Sequence, residues 1–145
     1  MKHRLLEEGA GGRSFVLVFE YGEQVVGPLN RFANEVQLRG SSVAGIGAFE
    51  RAHLGYFNPE TKEFHENAVD EQVEVLSLTG NIAEDARGER KLHLHVVLGC
   101  RDASTRGGHL IDAVVRPTLE LMITELPRHL KRKHDPKSGL VLLEP

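Results

Sequence analysis

The chain has 145 residues, 40% of them hydrophobic and 27% charged, with a formal net charge of −3. That length suits one domain with one core, and the composition excludes a disordered chain. No apolar run approaches bilayer length, and the slight acidity argues against a domain that binds DNA by phosphate neutralisation alone.

The first residues, MKHRLLEEGAGG, lack the apolar core of a secretory signal and read as a terminal tail. There is a single cysteine, Cys100, so no internal disulfide can form. Together these predict a cytoplasmic protein without membrane partners. The whole chain reads as one domain, with its core over about 14–143.

Ser14–Tyr21 is a dense apolar run of strand length. Pro28–Leu38 places Leu29, Phe32, Ala33 and Val36 on one face of an amphipathic helix bounded by Gly27 and Gly40. Ser42–Phe49 and Ala52–Phe57 read as successive strands, followed by a turn at Asn58-Pro59-Glu60-Thr61 and a weak strand at Phe64–Val69. Gly45 and Gly47 do not match a dinucleotide loop and point to close strand packing or a bulge.

Val73–Gly80 and Leu92–Leu98 are good strands. Gly107-Gly108 reads as a sharp bend before a strand at His109–Val115, and Arg116-Pro117 should break or bulge it, because proline removes a ladder donor. Thr118–Leu126 is better read as strand than helix. A short basic stretch, Arg128–His134, precedes a last strand at Gly139–Leu143. The expected fold class is α+β: a single domain with a mainly antiparallel, mixed sheet of about seven to eight strands and one or two flanking helices.

The eight histidines are many for this length. In KLHLHVVLG, alternation sends Leu92, Leu94, Val96 and Leu98 toward a core, and Lys91, His93, His95 and Val97 the other way. His93 and His95 then stand side by side, with Cα atoms roughly 7 Å apart. A hairpin return would bring His109 across from them. Three imidazoles with an open fourth position form a known zinc arrangement, although imidazole also suits nickel, copper and iron. An H-x-H pair alone commonly marks a half-exposed strand. A cupin-type site would want a glutamate soon after the second histidine, and Val96–Cys100 contains none. His3, His53, His65, His129 and His134 read as surface or tail residues.

The blocks VAGIGAFERAHLGYFNPETKEF, VEVLSLTGNI, LHLHVVLG and GGHLIDAVV, in this order, resemble the plants and prokaryotes conserved (PPC) domain from about Ser14 to Leu143. In plants that domain accompanies AT-hooks; in prokaryotes it stands alone and is often labelled a predicted DNA-binding protein. The resemblance implies an α/β fold with a mainly antiparallel sheet, a homotrimer, and a divalent metal, expected to be zinc, at His93, His95 and His109. The R-G-R-P core of an AT-hook is absent from the sequence.

Three functions follow as expectations. The first is a trimeric metal-binding domain with a small-molecule ligand or a regulatory role. The second is a metal-dependent hydrolase using the same histidines, with Glu74, Glu120 and Arg13 as possible helpers and no assigned catalytic residue. The third is DNA binding through the basic cluster Arg128, Lys131, Arg132 and Lys133, which a trimer would present as a rim.

Overall fold

The computed structural model describes residues 1–144. They form one nine-stranded sheet and one helix: β1 (Lys2–Gly9), β2 (Gly12–Glu20), α1 (Val26–Glu35), β3 (Gly40–Asn58), β4 (Glu63–Val69), β5 (Val73–Glu84), β6 (Arg90–Gly99), β7 (Thr105–Leu126), β8 (Lys131–His134) and β9 (Val141–Glu144). The main path runs β1-β2-β7-β3-β5-β8-β9, with β4 on β3 and β6 joined to both β5 and β7. All pairings are antiparallel except a single parallel bridge, Glu84 to Lys131.

Several expectations change. There are nine strands rather than seven or eight, and one helix. The tail is a strand: β1 pairs along β2, with every side chain exposed, so no hydrophobic pattern announces it. The segments at 42–49 and 52–57 are one continuous strand, β3, and those at 109–115 and 118–126 are both part of β7. Arg116-Pro117 does disturb the ladder without ending the strand. From Phe49–Val115 to Gly47–Leu119, β7 advances four residues while β3 advances two, a bulge at the proline. Gly47 is what admits it, because a Cβ there would meet the Thr118 carbonyl oxygen at 2.3 Å.

Leu29, Phe32 and Ala33 of α1 bury against Phe15, Leu17 and Phe19 of β2 and Leu119, Leu121 and Ile123 of β7. The same core takes Leu94, Val96 and Leu98 from β6, each worth about 1.5–3 kcal/mol of burial. Leu92 is only half-buried.

Two arginines bolt the end of α1 to the sheet. Arg13 on β2 donates to Glu125 on β7 from Nε (2.7 Å) and Nη2 (2.9 Å), and to the Val36 carbonyl at the helix C-terminus (3.0 Å). Glu125, 5% exposed, also accepts the Arg39 backbone N–H at 2.8 Å. Buried Arg90, at the start of β6, donates to the Leu38 carbonyl at 2.8 Å, while its backbone N–H donates to Asn34 Oδ1 at 3.0 Å.

Hydrogen bonding from Arg13 is the main cause that holds the Glu125 carboxyl below the ordinary glutamate range. A depressed folded value contributes stability that is fully present above the unfolded value and lost as pH falls through the folded one. Glu125→Gln should therefore cost about 2–3 kcal/mol at neutral pH, measured by urea unfolding. The gap to wild type should narrow below about pH 4. A gap that stays constant down to pH 2 would refute the ionic origin.

Candidate metal centre

On β6, Leu94, Val96 and Leu98 are buried, so alternation turns His93, His95 and Val97 to the opposite face. His95 and His109 are direct register partners across the β6–β7 ladder, and His93 lies two residues along, opposite Asn81 of β5. The expected bend at Gly107-Gly108 is not there. Both glycines sit inside β7 and pair with Val97 and Val96. Their role is close approach: a Cβ at Gly107 would come 2.9 Å from the Val96 carbonyl oxygen, and one at Gly108 2.9 Å from that of Gly55. β7 is thereby squeezed between β6 and β3 just where it delivers His109.

The three rings converge. Their centroids are 5.0 Å (His93–His95), 5.4 Å (His93–His109) and 5.5 Å (His95–His109) apart, and one ligand nitrogen from each lies within 4.8 Å of the others. The Nε2 atoms of His93 and His95 are 3.2 Å apart. Two nitrogens bound to one tetrahedral zinc at about 2.0–2.1 Å would stand roughly 3.3 Å apart, so this pair already matches the edge of such a site. The Phe64 ring, 5.3 Å from that of His109, backs the third imidazole.

Burial pushes the His93 and His109 imidazoles below the ordinary histidine range, followed for His93 by the Arg132 and His95 charges and for His109 by those of His93 and His95. Neutral rings are the form that binds a metal. The geometry of the three rings and the lowered His93 and His109 fit a divalent ion held by three imidazoles, and these three are the His/Cys/Asp/Glu cluster with that capacity among the described residues.

Beside the histidines lies a pocket of about 530 Å³, walled by Phe64, Leu92, Leu140, Val141 and Leu142, and flanked by Arg87, Lys91 and Arg132. Glu74, Glu120 and Arg13 do not line it, and Arg13 is committed to Glu125.

The basic cluster is divided. Arg128, Lys131 and Lys133 are exposed, and Lys133 pairs with Glu144 at 2.9 Å, but Arg132 is 7% exposed and turns into the pocket. Alternation along Lys131–His134 was the available signal that Arg132 faces away from its lysine neighbours. Asn81 and Phe64 carried no signal, since only the register brings them to the site.

The family model of the Plants and Prokaryotes Conserved (PCC) domain matches residues 6–127. The fold is similar to that of a candidate DNA-binding protein from Bacteroides thetaiotaomicron (29% identity, 98% of this chain and 96% of the other, TM-score 0.88). It is similar to a metal-containing protein from Archaeoglobus fulgidus (32% identity, 93% and 95% covered, TM-score 0.84). It is also similar to a plant- and prokaryote-conserved protein from Pyrococcus horikoshii (29% identity, 99% and 95% covered, TM-score 0.85). The comparison with curated proteins returned no match.

In metal-free protein, an NMR titration of the imidazole carbons should place the His93 and His109 midpoints below about 6.5. Midpoints at or above that value would contradict the burial described above.

Proposed function

The chain belongs to the Plants and Prokaryotes Conserved domain family, and on that premise we propose that it holds one divalent ion, expected to be zinc, at His93, His95 and His109. Its role on this reading is ligand binding or regulation, carried out as a homotrimer. The convergence of three imidazoles on one point carries the proposal. That a relative 32% identical is described as metal-containing adds support. When bound, the ion would supply Lewis acidity at an open coordination position. The protein's own part is to favour the neutral form of His93 and His109 by burial, fix the spacing of the rings through the β6–β7 register, and place a largely apolar pocket beside them.

Assembly draws support from the outer face of the sheet. Val16, Ile46, Leu76 and Met122 line one shallow depression, and Ile46 is 61% exposed. A contiguous apolar face of this kind fits a subunit contact. DNA binding has narrower support: relatives are called candidate DNA-binding proteins, but only Arg128, Lys131 and Lys133 remain on the surface. No helix among the described residues is long and apolar enough to cross a membrane.

Metal analysis of untagged protein should find about one ion per chain at neutral pH, and His95→Ala or His109→Ala should lower affinity by about 100-fold or more. Acid should release the ion as protons compete for the imidazoles, with loss on going below about pH 5. Equal metal content in wild type and both variants would dismiss the site. Light scattering should give three times the 16.1 kDa chain mass, and Ile46→Glu should reduce it to the monomer. A wild type that is monomeric at micromolar concentration would reject the trimer.

A further inference from the structure

Arg132 is a buried cation without a counter-ion among the described residues. Its Nη2 donates to Asn81 Oδ1 and its Nη1 to the Val141 carbonyl at 3.4 Å, both neutral acceptors. Its Nε is buried with no hydrogen-bond partner among the described residues, and no carboxylate among them forms an ion pair with it. Other buried or half-buried arginines of this molecule do have a carboxylate beside them: Glu84 stands 3.7 Å from Arg90, and Glu125 holds Arg13. A guanidinium placed in a low-dielectric wall with neutral partners alone is costly, and such groups are normally paired.

Position explains what the charge could serve. Asn81, which holds Arg132, is the direct register partner of His93. Arg132 therefore stands across one strand spacing from the histidine cluster, and both line the same pocket. The other cations there are less available: Lys91 is paired with Glu89 at 2.6 Å and lies 3.7 Å from Asp85, and Arg87 is exposed. One uncompensated buried charge calls for one negative charge. The rest of the lining is mainly apolar, with Phe64, Leu92, Leu140, Val141 and Leu142; it also includes His134 and Asp85, whose carboxylate accepts the Arg87 and Glu89 backbone N–H groups and lies 3.7 Å from Lys91.

We propose that this pocket takes a small organic carboxylate with an apolar body, its charge facing Arg132 and its carboxylate end beside His93 and His109. The inference rests on the metal reading for its second anchor, the ion, while the charge on Arg132 does not depend on that ion. A fully ionised phosphate is a worse match, because one guanidinium with two committed nitrogens offers it few donors and the apolar wall offers it none.

Calorimetric titration of the full chain, zinc-loaded and metal-free, with benzoate, neutral benzamide and inorganic phosphate tests this. Benzoate should bind wild type, benzamide should give no heat, and phosphate should bind about tenfold more weakly or not at all. Arg132→Met should weaken benzoate by about tenfold or more with metal content retained. Val141→Glu, at a pocket-lining position that is 48% exposed and shares the Arg132 face of the hairpin, should do the same by supplying Arg132 with a carboxylate from within, and it carries the test if Arg132→Met does not fold. Equal benzoate affinity in wild type and variant, absence of benzoate binding by folded wild type, or phosphate binding as tight as benzoate would each overturn the proposal. Failure of the metal reading shows separately, as protein that holds no zinc yet still binds benzoate in an Arg132-dependent way.

Discussion

Everything in this molecule depends on β7 being able to lie against two strands at once near its start. Its later half is an ordinary inner strand between β2 and β3. Its beginning pairs with β6 on one side while still touching β3 on the other, at Gly55–His109 and Leu54–Leu110. That double contact closes the circuit β3–β5–β6–β7 into a ring of ladders, and backbones come too near one another there for side chains on every residue. Gly107 and Gly108 yield the space. Without them His109 would be held off from His95, and the sheet would open where three imidazoles now meet.

Much of this was legible in residue pattern, because period-two alternation is a direct physical consequence of strand geometry. The inward Leu94, Val96 and Leu98 and the outward His93 and His95 follow from it, and the face of α1 formed by Leu29, Phe32 and Ala33 follows from the 3.6-residue period of a helix. The return of His109 on the neighbouring strand, opposite His95, followed from hairpin logic, and the resemblance to the PPC domain pointed the same way. What stayed hidden has specific causes. β1 buries none of its side chains, so its pairing rests on backbone hydrogen bonds that leave no compositional trace. A glycine pair can signify either unusual dihedrals or close approach, and sequence does not separate the two. Here it was close approach. Arg132 sat in a run of basic residues that reads as solvated surface, and only the alternation of a four-residue strand contradicted that reading.

The electrostatics of the site are organised by what is missing as much as by what is present. Elsewhere buried or half-buried cations are matched: Arg13 by Glu125, and Arg90 by Glu84 together with main-chain carbonyls. Beside the histidines the pattern lapses, and the positive charge of Arg132 helps keep His93 neutral. A region prepared for a doubly charged ion would ordinarily avoid another cation nearby. Its presence is intelligible if negative charge also belongs there.

The attachment of the β8–β9 hairpin bears on how anything enters. It joins the rest of the molecule through the single Glu84–Lys131 bridge, the Glu84 backbone N–H to the Leu130 carbonyl at 2.9 Å, the side chain of Arg132, and a long hydrogen bond from Lys62 to the Pro136 carbonyl at 3.5 Å. Val141 and Leu142, which wall the pocket, ride on its outer strand. So thinly tethered a unit detaches at far lower free energy than the ring of ladders beneath it. Amide protons of β8 should thus exchange on a different clock from those of β6.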